Sequence, residues 1–194
     1  CNTCTLQLRT AKYRLDHDAA LKEKVNAILK EAGHPYAYQG TSEITHFLWV
    51  LDEHPEVLDG KITDALKGTQ VACYYGCHIL RPAPVMNHES GDYPESFERL
   101  VRRLGAEPVW FDAGRKCCGF HAQFTAEHDV LTVTGQIAAS ADRAGANLIA
   151  TPCPLCQMQL DMYGPEGREA VHSQTDMPVL HLQQLVGLAL GMTR

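Results

Sequence analysis

The stretch NLIATPCPLC, residues 147–156, places a short apolar run directly before a C-x-x-C motif. The run predicts a buried strand, and Pro154 suits the first turn of a following helix. Outward from this stretch, similar patterns predict two more strands and the helices that join them, over residues 70–75, 94–104, 108–111 and 127–144. Strands that alternate with helices predict an α/β fold with an open parallel sheet.

Five cysteines follow these strands in the order C-x39-C-C-x34-C-x2-C: Cys77, Cys117, Cys118, Cys153 and Cys156. The carboxyl ends of parallel strands meet at one edge of an open sheet, where ligands bind. We therefore expect the five thiols to converge at that edge. Thiolates in this number suit a metal ion or an iron–sulfur cluster. The alternative is that they are ordinary core residues, since free cysteine is often buried.

The composition narrows the class of protein. The chain has 194 residues, a formal net charge of -6 and eight cysteines, a content far below that of small disulfide-rich domains. The absence of any basic stretch argues against nucleic acid as a partner. Neither a signal peptide nor an apolar run of transmembrane length is visible, so the sequence predicts no transmembrane segment and a cytoplasmic location.

The two ends of the chain carry a repeat. The segments CNTCTLQL, residues 1–8, and CPLCQMQL, residues 153–160, share both cysteines, a Gln and a Leu at the same offsets. In each half an apolar helix then opens near a histidine, at His46 and at His181. A chain that opens on such a motif lacks the cysteines that should precede it, so we expect it to be truncated. Its first part is predicted to form helices over residues 16–31 and 42–52.

Four motifs carry a resemblance to a known family: CYYGCH (73–78), KCCG (116–119), TPCPLC (151–156) and PVLHLQQLVGLALG (178–191). They resemble the cysteine-rich CCG-domain proteins, and among these the B-type subunit of heterodisulfide reductase and its bacterial relatives. The resemblance implies a Rossmann-like CCG domain with its cysteines at the carboxyl edge of the strands. It also implies that residues 61–194 are a complete second CCG domain and residues 1–60 the end of a first one.

The same resemblance implies a function and a cofactor. Proteins of that family carry an unusual, noncubane 4Fe-4S cluster in each CCG domain. They split a disulfide into two thiols, with electrons relayed from iron–sulfur and flavin subunits. The ligands of the second-domain cluster would be Cys77, Cys117, Cys118, Cys153 and Cys156. Cys1 and Cys4 match the closing C-x-x-C of the first domain and would mark an incomplete second site.

Several neighbours of these cysteines are further candidates. Charge that develops on a reacting sulfur could be stabilised by His78, His121, Arg81, Arg115 or Lys116. Gly76 and Gly119 would let the backbone approach the cluster or adopt a positive φ. Cys73 lies inside the first strand and is predicted to be a core residue. The apolar segment 182–190 is predicted to be a helix that packs in the core or binds a partner subunit.

Two alternative functions stay open. The chain could be an electron-transfer iron–sulfur subunit of a glycolate-, lactate- or glycerol-phosphate-type oxidoreductase, since CCG domains also occur in those proteins. It could also be a structural domain in which zinc takes four of the thiolates, with no cluster present. Metal analysis distinguishes the zinc domain from the two redox functions.

Overall fold

A computed structural model describes residues 1–192 of the chain. Its eight helices are α1 Asn2–His17, α2 Ala19–Glu31, α3 Phe47–Glu53, α4 Ser96–Arg103, α5 Glu127–Arg143, α6 Pro154–Asp161, α7 Gly164–Ala170 and α8 Leu182–Ala189. Its four strands are β1 Gln70–Cys73, β2 Glu107–Val109, β3 Leu148–Thr151 and β4 Val179–His181. Short 3-10 turns occur at Pro55–Leu58, Asp64–Leu66 and Phe120–Ala122.

The four strands form one parallel sheet in the order β2-β1-β3-β4. β1 lies in the interior, with Val71 aligned to Pro108 on one side and to Leu148 on the other. The predicted α/β fold with an open parallel sheet is confirmed. The edge strand β4 was not predicted, because a run of three residues directly before a helix is too short to show a strand pattern.

Both faces of the sheet are covered, as expected for a parallel sheet. Val71 and Cys73 of β1 pack into one core cluster, which includes Trp49, and Ala72 packs into the other, which includes Ile137. Cys73 is thus a core residue, as predicted. Burial raises the pKa of the Cys73 thiol well above its usual range, so this sulfur is inert as a nucleophile.

The first part of the chain differs from the prediction. Residues 16–31 do not form one helix, because Asp18 adopts an extended conformation and its side chain accepts a hydrogen bond from the Leu21 backbone N–H at 2.9 Å. Asp18 therefore ends the unpredicted helix α1 and caps α2. The helix predicted over residues 42–52 begins only at Phe47, where His46 is the capping residue.

Candidate thiolate site

The loops that follow β1, β2 and β3 are tied together at the carboxyl edge of the sheet. The Tyr75 N–H donates to the Gly114 carbonyl at 2.8 Å, and the Tyr74 hydroxyl donates to the Lys116 carbonyl at 2.7 Å. These bonds hold the loop that carries Cys117 and Cys118 against the exit of β1. β3 ends two residues before Cys153, which lies at the start of α6.

All five predicted cysteines line one small cavity at this edge. The other residues that line it are Asn2, Thr3, His78, Phe120, His121 and Leu155. Cys118, Cys153 and Cys156 are buried, whereas Cys77 is half-buried and Cys117 is exposed. The structure thus brings together sulfurs that are up to 79 residues apart in sequence, from Cys77 to Cys156.

Each of the five thiols shifts the pKa of its neighbour, in the order Cys77, Cys117, Cys118, Cys156 and Cys153. The neighbouring thiols of Cys118 and Cys77 lower the pKa of Cys117. Neighbouring thiols, together with burial, raise the pKa of Cys77, of Cys118 and of Cys156. Negative charge among the five thiols is therefore concentrated on Cys117 and on Cys153.

Cys153, like Cys117, has surroundings that favour a thiolate. The Cys156 thiol, together with backbone N–H groups of Cys156, Leu155 and Asn2, lowers the pKa of the Cys153 thiol to about 5 despite burial. Two of these amides belong to the first turn of α6, for which Cys153 is the N-cap residue. The start of a helix favours negative charge, so the fold prepares this sulfur to bind a cation.

Gly76 leaves no room for a side chain beside a sulfur of the cavity. Its φ is +71°, and a Cβ at this position would lie 2.9 Å from Cys156 Sγ. Gly119 also has a positive φ, +84°, and its N–H donates to Cys117 Sγ at 3.4 Å. The proposed roles of both glycines as close-approach positions thus have a geometric basis, although their contact with a cofactor stays a prediction.

The polar wall of the cavity contains two residues that sequence reasoning missed. The Asn2 side chain is fully buried, and its Nδ2 donates to the Tyr75 carbonyl at 2.7 Å. Thr3 Oγ1 lies 3.0 Å from His78 Nδ1, and the His78 and His121 rings are 5.3 Å apart. The signal that could have identified Asn2 and Thr3 is their place between Cys1 and Cys4, in the copy of the C-x-x-C turn.

The basic candidates Arg81, Arg115 and Lys116 are not among the residues that line the cavity. Arg115 donates to the Asp92 carbonyl, and its guanidinium lies 5.8 Å from the centre of the Trp110 ring. Arg81 donates to the Arg115 carbonyl at 3.3 Å. Proximity in sequence to a cysteine therefore did not bring these three cations to the sulfurs, because their side chains extend over the outer surface of the loops.

The N-terminal copy of the motif is more open. Cys1 is half-buried and Cys4 is exposed, and neither lines the five-cysteine cavity. The Cys4 N–H points to Cys1 Sγ at 3.5 Å, so the Cys1 side chain caps α1, whereas Cys153 is the N-cap residue of α6 without a side-chain capping bond. The turn between the two cysteines nevertheless contributes Asn2 and Thr3 to the cavity, so the two copies of the motif are neighbours in space.

The histidines of the repeat are also equivalent in the structure. His46 caps α3 and His181 caps α8, and each accepts a hydrogen bond through Nδ1 from the second residue of its helix. Both rings face the Pro152 carbonyl. Burial lowers the pKa of His46 to about 3 and also lowers the pKa of His181, so both rings are neutral at pH 7.

The donor set indicates which inorganic group the cavity suits. Within residues 1–192, no group of three or more His, Cys, Asp or Glu side chains is arranged to hold a metal ion. The five thiols line the cavity wall instead, and an iron–sulfur cluster spreads its thiolate ligands over several irons rather than gathering them on one ion. A set made only of sulfur also suits iron and sulfide in preference to hard cations. The residues thus fit an iron–sulfur cluster.

The part of the chain that the structure describes contains no helix that is long and apolar enough to cross a membrane.

Comparisons with known proteins indicate the family of the chain. The pattern of the cysteine-rich (CCG) domain family matches residues 71–161. The chain is 45% identical over 192 residues to a Wolinella succinogenes protein named 8-methylmenaquinol:fumarate reductase membrane anchor subunit, and the match covers 99% of this chain and 66% of that protein. It is 34% identical over 197 residues to the B-type subunit of the ferredoxin/F(420)H(2)-dependent CoB-CoM heterodisulfide reductase of Methanosarcina acetivorans, and that match covers 100% and 65%.

A third relative is an Archaeoglobus profundus protein named for its likeness to the B-type subunit of heterodisulfide reductase, 32% identical over 98% of this chain and 65% of its own length. A crystal structure of a hypothetical protein from Helicobacter pylori has the same fold, with a TM-score of 0.70 and 14% identity over 95% of this chain and 33% of that one. The chain spans about two thirds of the length of the curated relatives it matches. It belongs to the cysteine-rich CCG-domain family, together with proteins named as B-type subunits of heterodisulfide reductase.

Proposed function

We propose that this chain is the iron–sulfur subunit of a heterodisulfide-reductase-like complex and reduces a disulfide to two thiols. The observation that carries the proposal is the convergence of five thiols on one cavity. The names of the relatives in Methanosarcina and Archaeoglobus support it. The reaction consumes two electrons and two protons per disulfide, RSSR′ + 2e⁻ + 2H⁺ → RSH + R′SH. Iron–sulfur and flavin subunits are the proposed source of the electrons.

The cluster ligands in this proposal are Cys77, Cys117, Cys118, Cys153 and Cys156. A bound iron–sulfur cluster would supply electrons and an iron to which a product sulfur can bind. A cubane 4Fe-4S cluster takes about four thiolates, so a fifth supports the noncubane type. Cys117 and Cys153 already favour the thiolate state, which is the state that binds iron.

His78 and His121 are the proposed hydrogen-bond donors to the substrate. Both line the cavity, and Thr3 contacts His78 and fixes its ring. Donors at this place stabilise the negative charge that develops on the sulfurs as the disulfide bond breaks, and they are well placed to deliver the two protons. We assign Arg115 no such role, because its side chain is directed to Asp92.

Cys1 and Cys4 are proposed to belong to a second thiolate site next to the first. Their motif copies residues 153–160, and its turn lines the five-cysteine cavity through Asn2 and Thr3. Residues 1–60 would then be the end of one CCG domain and residues 61–194 a second one. A disulfide held between two such sites would meet a metal at each sulfur. The proposed location of the protein is the cytoplasm, where thiols stay reduced.

A second candidate function is electron relay in a quinol:fumarate reductase. The 45% identity to the Wolinella succinogenes protein favours it. Both candidates need the same cluster, but only a disulfide reductase releases thiols from an added disulfide. A relay subunit would be reduced and reoxidised by partner proteins without forming any thiol.

The test is anaerobic reconstitution with iron and sulfide, followed by an assay with reduced viologen and a panel of low-molecular-weight disulfides. We expect about four irons per five-cysteine site, with matching inorganic sulfide. We also expect disulfide-dependent oxidation of the viologen. One zinc per chain without sulfide would contradict both redox candidates and favour a structural zinc domain. A loaded cluster without thiol release would favour the relay, including one in a glycolate-, lactate- or glycerol-phosphate-type oxidoreductase.

A further inference from the structure

His181 has an unused donor beside a cysteine of the site. Its Nδ1 accepts the Gln183 N–H at 3.3 Å, and its own backbone N–H donates to Gln184 Oε1 at 2.8 Å. Because Nδ1 acts as an acceptor, the proton of the neutral ring must be on Nε2. The capping geometry therefore determines the tautomer without any reference to the cysteines.

The His181 Nε2 atom is buried and has no hydrogen-bond partner of its own. His181 of β4 is aligned with Thr151 of β3, two residues before Cys153, and the polar groups near its ring include the Pro152 carbonyl and the Cys153 thiol. A buried N–H without a partner is costly, and one explanation at a redox site is a partner that forms only when the cofactor is bound. Here that partner is a sulfur that becomes a permanent thiolate once a cluster is held.

We propose that His181 Nε2–H donates a hydrogen bond to the Cys153 sulfur of the loaded site and thereby sets the redox potential of the cluster. This inference rests on the proposed function, since it requires a cluster at Cys153. His181 is a positioning residue in this account, because it acts through Cys153. An N–H···S bond withdraws electron density from the thiolate and stabilises the reduced cluster, which makes the potential less negative.

His46 provides a matched control within the same chain. It caps α3 through Nδ1 as His181 caps α8, and its ring also faces the Pro152 carbonyl. Its Nε2, however, lies 3.1 Å from the Cys1 nitrogen, at the other copy of the motif. The structural alternative is that both histidines serve only as helix caps. Since asparagine is a good N-cap residue, His→Asn keeps the cap and removes only Nε2.

The experiment compares the wild type, His181→Asn and His46→Asn after anaerobic reconstitution. Iron and sulfide content, a redox titration monitored by EPR, and pulsed EPR on protein labelled with ¹⁵N only in histidine are measured on each. We expect His181→Asn to hold wild-type iron, to have a more negative potential, and to lose one ¹⁵N coupling. His46→Asn should keep the potential and the coupling.

Each possible result either supports the role of His181 or overturns it. An unchanged potential and coupling in His181→Asn, or equal shifts in the two variants, would overturn the role of His181 and leave the proposed function intact. If His181→Asn does not fold, the labelled wild type still gives an answer, because a spectrum without any histidine coupling would overturn the proposal. A wild type that takes up no iron and sulfide would overturn the proposed function, and the inference with it.

Discussion

The two C-x-x-C motifs of this chain have the same spacing and different surroundings. Cys153 and Cys156 are buried and line a cavity with three further cysteines, which lie in the loops after β1 and β2. Cys1 and Cys4 are half-buried and exposed, and in the described part of the chain they do not line that cavity. The motif is therefore not a site by itself. A site arises where the parallel sheet brings several such turns to one edge.

The largest expected effect is on cluster binding by single cysteine variants. Cys153→Ser removes a buried sulfur at the start of α6 whose lowered pKa favours the thiolate state, so we expect iron and sulfide to fall to near zero after anaerobic reconstitution. Cys4→Ser makes the same chemical change in the other motif and should leave the iron content of the five-cysteine site unchanged. Equal losses in the two variants would remove the distinction between the motifs.

The next effect concerns the close approach of backbone to sulfur. Gly76→Ala should cost about 1–2 kcal/mol for its left-handed φ and about 1–3 kcal/mol more for the contact with Cys156 Sγ. Gly33→Ala is the control, since φ is +72° there and a Cβ would meet nothing within 4 Å. Urea unfolding of both variants measures the difference. A cost at Gly76 no larger than at Gly33 would show that the sulfur is not crowded.

Alanine substitutions at the two equivalent glutamines of the repeat should differ, by a smaller amount, in their effect on the free energy of unfolding. Gln159 is fully buried, and its Nε2 donates to Gln123 Oε1 and Thr134 Oγ1, both at 3.0 Å. These bonds join α6 to the loop after Cys118. Gln159→Ala should destabilise the protein by about 1–3 kcal/mol because it leaves buried partners unsatisfied.

The matching glutamine, Gln7, is exposed, and Gln7→Ala should change the free energy of unfolding by less than about 0.5 kcal/mol. Thermal and urea unfolding of the two variants give this comparison directly. Similar values for both would mean that the buried network contributes nothing beyond a surface glutamine.

The last expected effect is a pH dependence, which is absent at neutral pH and appears only in acid. Burial holds the pKa of His46 at about 3, below its ordinary value of 6.5, so the unfolded chain binds the proton more readily. Stability from the neutral ring is fully present above pH 6.5 and is lost as pH falls from there toward 3. His46→Asn keeps the helix cap and should flatten this acid limb, as measured by urea unfolding at several pH values. An unchanged slope would contradict the burial of a neutral ring.

The strands and the cysteine edge were predictable because apolar runs, joined by helical segments, end just before each cysteine group. β4 was not predictable, because a strand of three residues is too short to show a periodic pattern. The break at Asp18 was not predictable either, because a single capping side chain interrupts a helical pattern that otherwise continues. Asn2 and Thr3 were missed because their place on the cavity wall depends on packing between residues far apart in sequence. Arg115 looked plausible only because it is near Cys117 in sequence; its actual partners are Asp92 and Trp110.

The central claim is that thiols from three separate loops hold a single iron–sulfur cluster. Diffraction from anaerobically grown crystals of the reconstituted protein, collected on both sides of the iron absorption edge, tests it most directly. We predict several iron peaks within the cavity, bonded to Cys77, Cys117, Cys118, Cys153 and Cys156. A single zinc peak bound by four of these sulfurs, or iron located away from Cys153, would contradict the account.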